Sequence, residues 1–187
     1  MKPLRIGLLG IGTVGGGTFD VLTRNAEEIS RRAGRPINVI TVGARNLEKA
    51  RKVVGESTPV NANFSALVSD PNIDVVVELM GGYEPAKSLI LEAISHGKHV
   101  VTANKALLAL HGNEIFAAAR AKGVIVAFEA AVAGGIPIIK ALREGLVANR
   151  IEWIAGIING TTNFILSEMR SKGLSFAEVL KTAQAKG

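Results

Sequence analysis

Leu4-Arg5-Ile6-Gly7-Leu8-Leu9-Gly10-Ile11-Gly12-Thr13-Val14-Gly15 is the stretch from which the rest of the chain can be read. Residues 4–10 form a short apolar run of the kind that makes a parallel strand buried on both faces. The glycines that follow have distinct physical roles. Gly10 permits a tight turn, Gly12 lets the backbone approach a pyrophosphate, and Gly15 lets the next helix pack closely on the strand. A helix starting here offers free N–H groups and the positive end of its dipole to an anion. A glycine-rich turn also occurs as a plain strand–helix connection. Here it follows a strand and opens a long helix leading to a second strand, which is the setting a dinucleotide turn requires. Gly10, Ile11, Gly12, Thr13, Val14 and Gly15 are therefore the candidate phosphate-binding residues.

Working outward, a helical pattern runs from Thr13 to Ala33, its apolar face supplied by Val14, Phe19, Val21, Leu22, Ala26 and Ile29, and Gly34 ends it. Residues 37–43 read as a second strand, and Asn46 can cap a helix reaching about Val54. Asn63 caps a short helix holding Ala66, Leu67 and Val68. Residues 73–79 are β-branched and nearly continuous, so they read as another strand buried on both faces. Gly81-Gly82 breaks that strand, and Pro85 sits where a first helical residue belongs, with the helix running to Gly97. Residues 99–102 and 124–129 read as strands, with helical segments 105–110 and 113–122 between them. This alternation predicts an α/β fold, a doubly wound parallel sheet with helices on both faces.

The texture changes after Glu129. Residues 130–135 are small and glycine-rich, which suits a hinge or a tight functional loop. A helix over 137–146, a strand over 151–158 and a helix opened by Asn159-Gly160-Thr161-Thr162-Asn163 follow, and Ser175-Phe176-Ala177-Glu178 is a capping box starting a last helix. The division is a nucleotide-binding domain over 1–133 and the beginning of a second domain over 134–187.

The formal charge is +6, from 22 Lys and Arg against 16 Asp and Glu. The basic residues are scattered, and aromatics make up 4% of the chain, too few for a stacking platform, so nucleic acid is not an expected partner. No apolar run is long enough to span a bilayer, and no membrane association is expected. Cysteine is absent, which removes disulfides, thiolate nucleophiles and Cys-based metal sites. His96 and His99 straddle a helix end and a strand and need not converge on a metal. These features are compatible with a cytoplasmic protein.

The tip of the second strand bears on nucleotide choice. Sites for NAD usually place Asp or Glu there to bind the ribose 2′-hydroxyl. This chain has Gly43-Ala44-Arg45 instead. Arg45 suits a 2′-phosphate, so NADP is favoured, with NAD possible; the alternative for Arg45 is a solvated loop arginine.

Residues 7–15, Thr102-Ala103-Asn104-Lys105-Ala106-Leu107 and Gly156-Ile157-Ile158-Asn159-Gly160-Thr161-Thr162-Asn163-Phe164-Ile165-Leu166 together resemble homoserine dehydrogenase, in order and in spacing, across essentially the whole chain. The last motif is the most specific. The resemblance implies NAD(P)H-dependent, reversible reduction of L-aspartate 4-semialdehyde to L-homoserine, on the route to threonine, methionine and isoleucine. It implies a Rossmann cofactor domain followed by an α+β catalytic domain that also forms a homodimer. It places Lys105 in the active site, where a cation stabilises developing negative charge, and Met80 and Gly81, with Gly82, beside the nicotinamide. It matches Glu129, Val132, Gly134 and Ile136 to a loop for a monovalent cation, sodium. Taken alone, Glu129 at a strand end is equally a structural hydrogen-bond acceptor. Thr161 becomes the leading substrate contact, with helix capping by Thr161 or Asn159 as the plainer role. Gly187 matches a position near both cofactor and substrate.

The resemblance also implies that a glycine–tyrosine–acid segment and a proton-donating lysine lie beyond Gly187. Two further readings stand beside it: another oxidoreductase on the same fold, and a nucleotide-binding module without catalysis. The expected outcome for the 187-residue chain is nucleotide binding with little or no turnover, and robust NADPH-dependent semialdehyde reduction by the purified chain would contradict it.

Overall fold

The computed structural model describes residues 1–186. They divide into two compact units, residues 1–143 and the described residues from 144 onward.

In the first unit β1 (Leu4–Leu9), α1 (Thr13–Arg24), α2 (Ala26–Ala33), β2 (Ile37–Gly43), α3 (Leu47–Val54), β3 (Val60–Asn61), α4 (Phe64–Ser69), β4 (Val75–Glu78), α5 (Ala86–Ser95), β5 (His99–Thr102), α6 (Lys105–Lys122) and β6 (Val126–Ala127) follow one another. The six strands form one sheet in the order β3-β2-β1-β4-β5-β6, and every pairing is parallel. The chain leaves β1 toward β2 and later returns to β4 on its other side. The direction of winding therefore reverses between β1 and β4, and a crevice opens above the C-terminal ends of these strands.

The period-2 alternation of the strands sends side chains to two cores. Ile6 and Leu8 of β1, with Val42, Val75 and Val77, face α1 and α3 and pack with Phe19, Leu22, Ala50 and Val54. Leu9, Val76, Val100 and Val126 face the other way, onto Leu67, Leu89, Ile90, Ile94, Leu107 and Ile115 of α4, α5 and α6. Gly7 points to this second face, where a Cβ would meet Ile73 and Leu67 at 2.7 Å, so the glycine lets α4 lie close to the sheet.

The N-terminal edge of the sheet is held by polar contacts. Arg5 donates from its main-chain N–H and Nε to Asp74 Oδ2 at 2.9 and 3.1 Å, and from Nη2 to Oδ1 at 2.9 Å. This ties β1 to the residue before β4. The buried Lys98 ammonium, 4% exposed, donates to the main-chain carbonyls of Asp70 and Ile73.

Several boundaries differ from the sequence expectation. The first helix divides at Asn25, whose ψ of 21° departs from helical geometry; asparagine is a poor interior helix residue. The two expected segments over 105–122 are one helix. Leu107, Ile115 and Ala119 bury a continuous stripe across Gly112, and that burial outweighs the roughly 1 kcal/mol cost of one glycine. The strand expected over 124–129 pairs only at Val126–Ala127, after which Glu129–Ala131 makes a 3₁₀ turn. The helix expected over 137–146 is a short α-helix, α7 (Ile138–Lys140), continued as a π-helical turn over Ala141–Gly145.

In the second unit, α8 (Gly160–Lys172) and α9 (Phe176–Lys186) pack through Ile165, Val179 and Ala183. The expected capping box is formed, with Ser175 Oγ and N–H both donating to Glu178 Oε2 at 2.6 and 2.8 Å. The strand expected over 151–158 is not formed among the described residues. Trp153 is 78% and Ile158 88% exposed. A strand needs a partner ladder, and no other strand lies within the described residues of this unit.

The Arg5 guanidinium, chiefly through its hydrogen bonds, holds the Asp74 carboxyl at about 2, below its ordinary 3.8. The depressed value means that the pair stabilises the fold above the unfolded carboxyl's range and that this contribution fades as pH falls toward 2. Asp74→Asn is expected to lower stability near neutral pH by up to about 1 kcal/mol, and urea titrations of wild type and variant should converge between pH 4 and 2.

Candidate functional site: a cleft at the glycine turn

Gly10, Ile11 and Gly12 form the floor of a cleft of about 360 Å³ above the C-terminal ends of β1, β2 and β4. Gly43, Ala44, Arg45, Asn46 and Lys49 line it on the β2 side, and Leu79, Met80 and Gly81 on the β4 side. The three glycines fit the roles their spacing predicts. Gly10 has φ +92°, and a Cβ there would stand 2.9 Å from the Leu79 carbonyl oxygen. A Cβ on Gly15 would lie 2.0 Å from the Gly10 oxygen, so the first turn of α1 is pressed against the turn it leaves. A Cβ on Gly12 would meet nothing within 4 Å; this glycine leaves space free on the cleft wall.

Thr13, Val14 and Gly15 make the first turn of α1. Their N–H groups have no intrahelical acceptor. Gly12 is the N-cap and brings no side-chain cap, and no acidic residue occupies the first turn. Helix donors, open backbone and dipole thus coincide at one point, with the properties needed to hold a pyrophosphate. On the β2 side, Arg45 and Lys49 are exposed and no carboxylate stands at the strand tip. Asn46 Oδ1 accepts the Lys49 N–H at 2.9 Å and fixes the start of α3.

The β4 side contains a feature that the sequence reading passed over. Glu78, the last residue of β4, is 0% exposed. Its Oε1 accepts the N–H groups of Met80 and Gly81 at 2.8 and 3.2 Å, and its Oε2 accepts the Thr102 hydroxyl at 2.6 Å. Thr102 Oγ1 in turn accepts the Asn104 N–H at 3.0 Å, while Asn104 Nδ2 donates to the Gly82 carbonyl at 2.6 Å and its Oδ1 accepts the Leu107 N–H at 3.2 Å. The available signal was a charged residue closing a strand that reads as buried on both faces. A glutamate rarely enters such a position without partners.

Residues 10–129 match the family model described as "Homoserine dehydrogenase, NAD binding domain", and residues 137–187 match the homoserine dehydrogenase model. This chain belongs to the homoserine dehydrogenase family. The homoserine dehydrogenase of Pseudomonas aeruginosa is 66% identical over all of this chain, and that of Bacillus subtilis 43% identical; the chain spans 43% of the length of each. A homoserine dehydrogenase structure from Thiobacillus denitrificans superposes with a TM-score of 0.93 at 68% identity, covering 100% of this chain and 43% of that one. A hyperthermophilic archaeal homoserine dehydrogenase in complex with NADPH superposes with a TM-score of 0.83 at 26% identity, covering 100% of this chain and 62% of its own.

Within this chain, Gly10, Ile11, Gly12, Arg45, Met80 and Gly81 line one cleft, and Thr13, Val14 and Gly15 adjoin it through α1. Lys105 is not among the cleft-lining residues; it is the exposed first residue of α6, just past β5, and Asn104 caps that helix. Glu129 has a structural role: its two carboxylate oxygens accept the Ile139 and Lys140 N–H groups at 2.8 and 3.0 Å. Val132 follows in the next turn, and the Ile136 carbonyl accepts the Ile138 N–H at 2.8 Å. In the second unit Thr161 is exposed in the first turn of α8, and the cap there is Asn159, whose Oδ1 accepts the Thr162 N–H at 2.8 Å. Gly187 lies outside the described residues. His99 Nδ1 accepts the Ile125 N–H at 3.0 Å.

The glycine geometry separates folding from binding. Gly12→Asp supplies a good N-cap at an unstrained φ of −73° and should leave thermal stability unchanged or slightly raised. It should weaken NADPH binding at least tenfold by filling the anion position with a negative group, as read by fluorescence titration. Gly15→Ala should instead lower the unfolding midpoint sharply, because its methyl meets a backbone oxygen.

Proposed function

We propose that this chain forms the nucleotide-binding part of an enzyme that interconverts L-aspartate 4-semialdehyde and L-homoserine with NADP(H). The observation that carries the reading is the cleft above the β1–β4 reversal, where the free N–H groups of α1 meet an exposed Arg45 in place of a carboxylate. The arrangement fits a dinucleotide with its pyrophosphate at Gly10–Gly15. Its adenosine ribose lies toward β2, and its nicotinamide lies toward Met80 and Gly81. When bound, the reduced cofactor supplies a hydride to the aldehyde carbon.

Arg45, joined by Lys49, provides the cations that a 2′-phosphate needs, which favours NADP over NAD. The archaeal relative solved with NADPH supports the same choice. Lys105 is the catalytic cation, placing an ammonium where negative charge develops on the substrate oxygen. Thr161 contacts the amino-acid end of the substrate, its hydroxyl being spared capping duty by Asn159. Glu129 with the carbonyls of Val132, Gly134 and Ile136 forms an oxygen-rich loop suited to sodium; the hydrogen bonds already made by Glu129 and Ile136 leave acceptor lone pairs on both. The functional domain boundary falls between 133 and 134, ahead of the break after Arg143 between the two compact units, the enzyme is a cytoplasmic homodimer, and its partners are small molecules.

Arg45→Ala should reduce the preference for NADPH over NADH about tenfold, the worth of one charge-assisted contact, when the two affinities are measured side by side. An unchanged ratio would assign Arg45 to solvent. Homoserine-dependent reduction of NADP⁺ by the enzyme containing this chain, without response to serine, tests the substrate.

A further inference from the structure

The Glu78 network has no direct place in the chemistry above, yet it is the most deeply buried polar cluster of the first unit. Glu78, Thr102 and Asn104 are each buried, and together they join the loop after β4 to the loop after β5. Five hydrogen bonds converge on the segment Met80–Gly82 or on Thr102 within this cluster: two main-chain N–H groups to Glu78 Oε1, the Thr102 hydroxyl to Oε2, the Asn104 N–H to Thr102 Oγ1, and Asn104 Nδ2 to the Gly82 carbonyl. Gly81 and Gly82 both have φ +74°, a left-handed conformation open to glycine, and Glu78 accepts the N–H groups that lead into it, those of Met80 and Gly81. On its opposite side the loop leans on the phosphate turn, since a Cβ at Gly10 would stand 2.9 Å from the Leu79 oxygen and 3.0 Å from Met80 Cγ. The loop is therefore clamped between the glycine turn and one buried carboxylate.

We propose that Glu78 is a positioning residue for the nicotinamide half of the dinucleotide: its carboxylate shapes the Met80–Gly82 loop and, through Thr102 and Asn104, fixes the start of the helix that carries Lys105. The proposal rests on the reading of the cleft as a dinucleotide site. Arg45 and Lys49 lie on the far side of β1 from this network, across the sheet order β2-β1-β4-β5. A disturbance at Glu78 should therefore be felt at one end of the ligand and not at the other. A buried carboxylate that served only to stabilise the fold would make no such distinction.

The test compares two ligands on the 187-residue chain: NADPH and 2′,5′-ADP, which is its adenosine half. Glu78→Gln keeps a carbonyl for the loop N–H groups but turns an amide toward Thr102, whose hydroxyl then loses its acceptor. Thr102→Val removes the hydroxyl and leaves the Asn104 N–H without a partner. Each variant should weaken NADPH binding by roughly tenfold while leaving 2′,5′-ADP within about twofold of wild type. Thr102→Ser, which restores the hydroxyl, should return NADPH affinity to within about twofold. Retained 2′,5′-ADP binding also reports that each variant is folded. Unchanged NADPH affinity in both variants, or parallel loss of the two ligands, or failure of serine to restore binding, would overturn the assignment. Wild-type chain that binds neither ligand would overturn the dinucleotide reading, and the assignment with it.

Discussion

A methyl group on residue 15 would stand 2.0 Å from the carbonyl oxygen of Gly10. The absence of that methyl lets the first helix approach the first strand as closely as it does, and the geometry of the cleft follows from it. With α1 pressed down on the turn, its N-terminal donors stand at the ends of β1 and β4 with no side-chain cap over them. The positive φ of Gly10 keeps the turn short enough for the neighbouring loop after β4 to rest against it. The reversal of strand order leaves the space above these ends open. Sheet, helix and loop thus meet at one backbone contact that admits no side chain at all.

The chemistry around the cleft divides along the strand order. Toward β2 the groups are exposed and cationic, Arg45 and Lys49 on a loop and a helix start organised by Asn46. Toward β4 and β5 they are buried and hydrogen-bonded, with Glu78 at the centre. Exposed charge can attract and discriminate an anion at modest cost in desolvation, whereas a buried network can hold a loop in one shape. The surplus of positive charge along the chain is mostly solvated helix surface, as at Arg31 and Arg32, which pair with Glu28. The charge that faces the cleft is a small part of it.

Local signals were legible in the sequence. Asn46, Asn63 and Asn159 all cap the helices they precede, because a cap depends on residues three positions away and on little else. The glycine turn was legible for the same reason, and its context identified the parallel sheet. Properties that depend on distant partners were not. Gly112 looked like a helix end until the packing of α5 against α6 was visible. Residues 151–158 carry a strand's pattern, but a strand's existence depends on what pairs with it. Glu78 was the largest omission: its role is set by Thr102, 24 residues away in sequence, and by two backbone donors whose direction follows from the glycines after it. Glu129 was left between two roles, and the structural one is plain in its bonds to Ile139 and Lys140.

The Arg5–Asp74 pair and the buried Lys98 ammonium secure the N-terminal edge of the same strands whose C-terminal ends hold the cleft. Part of the fold's polar stabilisation and the proposed ligand contacts therefore sit at opposite margins of one sheet, joined by its apolar core. In evolutionary terms this makes the two traits separable. Substitutions at the lower margin alter how much folded protein a cell retains, and exposed positions such as Arg45 and Lys49 bear no core packing. Replacements at these two positions would then change the charge at the cleft mouth while the scaffold that presents it stays the same.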